Sequence, residues 1–286
     1  MSSPRSDVAT RIARLFIYPV KSCAGVEVTE AVLTETGLDL DRAWMVVDEQ
    51  GEFVTQRELP RMTLVRVQIK FHEVILRAPG MLALHLAIDA VEQPARVRIW
   101  DEEVEAFDMG GVAAQWFSDF LGMKLRLVRF DPDHPRRSDL QWTGGAEAFN
   151  QFSDGYPLLV VSEGSIDELN RRLVSAGHEA VGVERFRPNI VLAGLEAQDE
   201  DRLDTIRIAA DQEVLLRPVK PCARCPIPDV DPATARIDPQ VSATLQAYRS
   251  NAVVNGAVSF GMNTIVLQGL EQTLRVGQGV TAQWRF

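Results

Sequence analysis

Short segments rich in β-branched and aromatic residues recur along this chain, each stopped by turn residues. That rhythm constrains the fold more than any other feature of the sequence. In the first half, residues 12–18, 26–33, 43–48, 53–56, 63–71, 74–77, 82–88, 95–100 and 103–107 read as strands. Such side chains fit a pleated, half-buried surface. In 63–71, Leu64, Val67 and Ile69 lie among Arg66, Gln68 and Lys70, which gives the strand two unlike faces. Asp48-Glu49-Gln50-Gly51 reads as a hairpin turn with Gly51 at positive φ. Strands this short and this evenly spaced point to a barrel or a sandwich.

Three segments break the pattern. Residues 112–122 put Val112, Trp116, Phe117 and Phe120 at helical spacing. Ser165-Ile166-Asp167-Glu168 reads as a capping box ahead of Leu169 and Leu173, with Gly177 as the stop. Residues 240–249 predict a third helix, with Val241, Leu245 and Tyr248 on one face. The polar, proline-broken stretch 131–145, which includes Arg136, reads as a linker. Strands then resume at 158–162, 189–193, 205–209, 213–218, 257–267, 272–276 and 280–286. The expected architecture is mainly β (α+β), with a barrel-like unit over 11–130 and a second over 131–286.

Composition excludes several classes. Of 286 residues, 46% are hydrophobic and 24% charged, which rules out a disordered chain. The net charge of −10 argues against a global nucleic-acid binder, whose phosphate contacts need a basic face. Three cysteines, Cys23, Cys222 and Cys225, are too few for a disulfide scaffold or a four-thiolate cluster. The four histidines show no metal-ligand spacing. No apolar run is long enough to span a bilayer, and residues 1–10 lack the apolar core of a signal peptide. The expected compartment is a reducing cytoplasm.

Chemistry concentrates in three places. In Val219-Lys220-Pro221-Cys222-Ala223-Arg224-Cys225-Pro226, a strand runs into a proline-stiffened loop. Lys220 and Arg224 are expected to favour thiolate at the neighbouring cysteines. Inert packing, dithiol redox chemistry and a single thiolate on a metal completed by a cofactor all remain open here. Structural zinc lacks a second Cys/His pair. In Tyr18-Pro19-Val20-Lys21-Ser22-Cys23-Ala24-Gly25, a lysine, a hydroxyl and loop amides could hold an oxyanion. Nearby, Asp41-Arg42 taken alone reads as a surface ion pair. In Glu184-Arg185-Phe186-Arg187-Pro188-Asn189, two arginines precede an apolar strand. Arg187, standing before proline, is expected to be extended. Both arginines suit an anionic ligand or a strand-edge position.

These segments occur in the order found in the MOSC family, molybdenum-cofactor proteins with an N-terminal β-barrel domain. The chain resembles that family from about residue 12 to residue 286, and is similar to its amidoxime-reducing components. The resemblance rests on residues 18–25, 37–44, 55–57, 152–158, 186–190 and 222–232. It implies Cys225 as the thiolate on molybdenum and as the catalytic position. It implies Lys21, Ser22 and Arg42 at the pterin phosphate, and Arg187 and Asn189 on the pterin. Gly155, Tyr156, Ala223, Arg224 and Asn263 complete the implied cofactor site. Relatives often carry Thr-Ser at Gly155-Tyr156 and Ser at Ala223, and some have a tyrosine at Asn263.

The implied activity is reduction of N-hydroxylated substrates such as amidoximes, hydroxylamines and N-hydroxy bases. The implied cofactor is the molybdenum cofactor (Mo-molybdopterin). Electrons are expected from an external ferredoxin-, flavin- or cytochrome-type partner. A cofactor carrier or sulfur-transfer protein without turnover is the alternative.

Overall fold

The computed structural model describes residues 6–285. The polar residues 1–5 and the expected strand terminus Phe286 lie outside the described residues. Seven strands close a barrel in the order Ile190–Ala193, Leu158–Ser162, Ser259–Gln268, Val214–Ala223, Leu203–Ile208, Gly279–Trp284 and Val8–Ile17. The last of these pairs back onto the first, with Leu15 opposite Ile190. The barrel leaves no open edge along this ring. Its one parallel pair joins Leu158–Ser162 to Ile190–Ala193. As parallel pairing requires, a crossover connects them, here through the helix Glu163–Ser175. Inside lie Ile12, Leu15, Leu158, Val160, Leu192, Ile206, Leu216 and Val280, all buried.

Val8–Ile17 comes from the start of the chain yet is a barrel stave between two C-terminal strands. Segment 11–130 therefore supplies a strand to the unit built by 131–286. Val26–Val28 extends the barrel sheet, and Glu30–Thr34 pairs with Gly37–Leu38 and the C-terminal Thr273–Arg275. From residue 44 the segment forms a four-stranded sheet of Trp44–Val47, Arg126–Phe130, Glu102–Asp108 and Gln93–Ile99. A three-stranded sheet of Arg66–Ile69, Glu73–Arg77 and Leu84–Ala87 and the helix Gly110–Leu121 accompany it. Trp44–Val47 is apolar throughout because both of its faces are covered. Trp44 and Val46 pack with Met62, Leu76, Trp116 and Phe117. Met45 and Val47 face Val97, Val104, Phe130 and Phe152.

The structure corrects several expectations. Residues 63–64 belong to the 3-10 turn Pro60–Leu64, and only Arg66–Ile69 is strand. In 53–56, only Phe53 makes a β-bridge, to Val47. The turn at Gly51 forms as read, with its amide donating to the Asp48 carbonyl at 3.2 Å. The helix cap is Ser162 rather than Ser165: its hydroxyl accepts from the Ser165 amide at 3.1 Å. Both hydroxyls instead hold the buried Glu200 carboxylate, at 2.7 and 2.9 Å. Gly177 follows the helix end at φ +86°, as read. No helix among the described residues is long and apolar enough to cross a membrane.

The largest correction concerns the stretch 131–145. Arg136–Arg137 pairs with Phe149–Asn150, and the short helix Leu140–Thr143 follows. The Arg136 side chain is buried. It donates to both Glu102 carboxylate oxygens at 2.9 and 3.0 Å. It also donates to Asn150 Oδ1 at 3.1 Å and to the carbonyls of Gln151 and Ser153 at 2.8 Å. A fork of five donors satisfies a bend that would otherwise bury bare carbonyls. Arg136→Ala should cost about 2–3 kcal/mol, because several acceptors lose a charged donor. Exposed Arg137→Ala should stay within about 0.5 kcal/mol. Urea midpoints at unchanged slope check both; equal midpoints would refute the role given to Arg136.

Candidate functional site

A cavity of about 250 Å³ lies where the barrel meets the N-terminal sheet. Lys21, Ser22, Arg42, Gly155, Tyr156, Arg187, Asn189, Ala223, Arg224, Cys225 and Asn263 all line it. The eleven residues expected from sequence are thus brought together from six separate segments. Thr55, Arg57, Asp154, Lys220 and Cys222 also line it.

One end is built around Tyr18, whose ring is buried just past the strand Val8–Ile17. The guanidinium carbons of Arg42 and Arg187 stand 4.4 and 4.2 Å from its ring centroid. Arg42 donates to Asp41 at 2.5 Å and to the Arg187 carbonyl at 3.0 Å. Asp41 in turn accepts from the Tyr18 amide at 2.8 Å. The Asp41–Arg42 pair is therefore a buried brace, not a surface pair. Arg187 donates to the Cys23 carbonyl at 2.7 Å, while its Nη2 is buried with no partner among the described residues. Burial, with Arg42 adding its like charge, pulls the Arg187 guanidinium down to about 10.

Arg187 is not extended. It sits at φ +57°, ψ +45°, closing the 3-10 turn Val183–Phe186, with its amide donating to the Glu184 carbonyl. Ser22 (φ +67°) and Arg42 (φ +52°) share this left-handed region. Non-glycine residues rarely adopt it, and three of them at one cavity mark locally stored strain. Gly25 is required for a different reason. A Cβ there would come 2.4 Å from the Tyr18 ring.

Lys21 latches the two halves of the chain. Its buried ammonium donates to the Phe152 carbonyl at 2.8 Å and to Asp154 at 2.6 Å. Burial pulls Lys21 below the usual lysine range, although Asp154 opposes that pull. Desolvation pushes Asp154 up, but the charge and hydrogen bond of Lys21 outweigh it and hold the carboxyl at about 2. Asn189 is held at both ends of its amide. Its Oδ1 accepts from the Leu159 amide and Arg42, and its Nδ2 donates to the Phe16 carbonyl. It positions Arg42 from inside the barrel wall.

The other end carries the cysteines. The strand Val214–Ala223 runs on past Pro218 into this loop, where the sequence reading ended it. Its register shifts at Pro218/Lys220 and Pro221/Ala223, and these bulges accommodate prolines that cannot complete a ladder. The Cys222 thiol is pushed up by burial, against the charges of Arg224 and Lys220. The two cations thus fail to favour thiolate at Cys222. Cys225 is half-buried, and all three thiols are free. Arg224 donates to the Phe260 carbonyl at 2.6 and 3.0 Å and to the Phe186 carbonyl at 3.0 Å. No cluster of three or more His, Cys, Asp or Glu able to hold a metal exists among the described residues.

Sequence reasoning left Asp154 unassigned, although it is the lone acid of 152–158. Arg57 was equally visible in 55–57. Its guanidinium lies 4.7 Å from the Trp100 ring centroid, a neighbour that no local pattern could supply.

Residues 9–124 match the MOSC N-terminal beta barrel domain and residues 149–281 match the MOSC domain. The chain is 34% identical over 250 residues to mitochondrial amidoxime reducing component 2 of Rattus norvegicus, covering 83% of this chain and 72% of that protein. It is 37% identical over 248 residues to mitochondrial amidoxime-reducing component 1 of Mus musculus, covering 83% and 71%. It is 36% identical over 251 residues to component 2 of Homo sapiens, covering 83% and 72%. The two domain matches and the identity to these proteins over most of the chain show its place: it belongs to the MOSC family, alongside the amidoxime-reducing components.

Proposed function

We propose that this chain binds the molybdenum cofactor in the cavity and reduces N-hydroxylated compounds with electrons from an external donor protein. The observation that carries this reading is the pairing, in one cavity, of a cationic end around Arg42 and Arg187 with the Cys225 thiol loop. The donor set suits the group. Arg187 Nη2 is buried and unpartnered, an open position for an anionic acceptor. A half-buried thiol is the soft ligand that suits a heavy, sulfur-bound metal.

Cys225 would hold the metal. Lys21, Ser22, Arg42 and Arg187 would hold the anionic pterin end, with Asn189 fixing Arg42. Gly155, Tyr156, Ala223, Arg224 and Asn263 would line the space between. When bound, molybdenum supplies two-electron chemistry for removing the oxygen of an N–O bond. Two electrons and two protons turn N–OH into N–H and water. The protein's part is to bind, orient and set the local field. An external ferredoxin-, flavin- or cytochrome-type partner would supply the electrons.

Three experiments test this reading. Protein made in cells that synthesise molybdopterin should carry molybdenum, at no more than about one atom per chain, given one such thiol loop. Cys225→Ser should lose the metal and benzamidoxime turnover while keeping its circular dichroism. Cys222→Ser, altering a thiol that packs against the helix core, should keep most of both. Equal loss in the two variants would point instead to dithiol chemistry. Arg42→Ala and Arg187→Ala should each weaken cofactor retention by roughly 10- to 150-fold, the worth of one charge-assisted hydrogen bond of about 1.5–3 kcal/mol. Retention through dialysis, followed by metal analysis, reads this out. Full retention in both variants would put the cofactor elsewhere.

A further inference from the structure

Lys220 stands apart from the other cations of the cavity. It projects from the strand Val214–Ala223, where its backbone pairs with Asn263. Its ammonium lies 4.9 Å from the ring centroid of Trp142 and 5.8 Å from that of Tyr156. Among the described residues it makes no ion pair and no side-chain hydrogen bond. Two aromatic faces hold it in place through cation–π attraction, without the neutralisation a carboxylate would bring. Its charge reaches the Cys222 thiol, as do those of Arg224 and Asp154, so it belongs to the cysteine end. Beside it, the Tyr156 hydroxyl is buried and has no hydrogen-bond partner among the described residues.

We propose that Lys220, steadied by Trp142 and Tyr156, is an anion anchor at the cysteine end of the cavity, where it selects ring compounds that carry a carboxylate. The ligand chemistry follows from what is there. One ammonium is a point charge with three donors and matches a monoanion. A phosphate dianion would suit the arginine pair around Tyr18, which presents two forked guanidiniums. The Tyr156 wall offers an apolar face to a flat ring, and its hydroxyl is an unused donor. Only the identity of the selected substrate rests on the reductase reading; binding of the anion does not.

The test has a binding arm and a turnover arm. Benzoate is titrated into the full-length protein and followed by ligand-observed NMR, with benzamide as the uncharged analogue. Benzoate should bind the wild type saturably, about tenfold more weakly in Lys220→Met, and with partial recovery in Lys220→Arg. Benzamide should not distinguish the three. In the turnover arm, the kcat/KM ratio of 4-carboxybenzamidoxime to benzamidoxime should fall about tenfold in Lys220→Met, through KM, and recover in Lys220→Arg. Absent benzoate binding, or equal binding to the wild type and Lys220→Met, overturns the anchor. An active enzyme whose substrate ratio ignores residue 220 also overturns it and leaves the reductase reading standing. Lysine-dependent benzoate binding in a protein without turnover does the reverse.

Discussion

Two arginines share one tyrosine ring, and the rest of the site depends on that arrangement. Arg42 and Arg187 are like charges held together in a buried wall, which is unfavourable taken alone. The Tyr18 face, Asp41, and the carbonyls of Cys23 and Arg187 compensate for it. The compensation is incomplete, since Arg187 keeps a buried donor without a partner. Each left-handed non-glycine residue costs about 1–3 kcal/mol and persists only where surrounding contacts over-determine it. Ser22, Arg42 and Arg187 are such residues, and the contacts that determine them are those that aim the two guanidiniums. The strain and the charge are therefore one feature: a cationic wall set by the fold itself.

Chain topology makes that wall rigid. Val8–Ile17 closes the barrel against Ile190–Ala193 and delivers Tyr18 and Lys21 directly to the cavity. Arg187 and Asn189 precede the strand it pairs with, so the Tyr18 and Arg187 segments are tied by a β-ladder, and Arg42 joins them through its side chain. On the far side, Lys21 binds Phe152 and Asp154, while Arg136 holds the carbonyls of Gln151 and Ser153. The segment carrying Gly155 and Tyr156 is thus gripped from both units. Sites held on ladders and buried forks keep their geometry better than sites on free loops.

Much of this was legible in the sequence, for identifiable reasons. Alternation and turn residues marked most strands, because a strand's two faces meet different solvents. The order of short motifs indicated which residues would meet, and all eleven do line one cavity. What failed was local reasoning about residues whose partners are distant. Arg136 looked like linker because its acceptors, Glu102 and Ser153, lie far along the chain. Asp41 and Arg42 looked like surface because nothing local shows that Tyr18 and Asn189 enclose them. Arg187 broke the extended preference of a residue before proline because the turn Val183–Phe186 and the Cys23 carbonyl hold it. The thiol expectation weighed charge without burial, and at Cys222 burial wins.

The positive cavity in a chain of net charge −10 has a physical origin in the kind of partner each cation has. On the surface, Arg96 meets Glu105, Arg98 meets Glu52 and Lys124 meets Glu49, so charge cancels pairwise and solvent screens the remainder. Of the described cavity cations, Lys21, Arg42 and Arg57 meet a carboxylate. Arg224 is held by carbonyls, Lys220 by aromatic faces, and Arg187 by a carbonyl and the Tyr18 ring. Carbonyl dipoles and π faces fix a cation in place but leave its net charge standing. With the surrounding protein limiting water, that charge acts at a lower effective dielectric than it would outside. Partner type, rather than the number of basic residues, thus sets the sign of the potential where a ligand would sit.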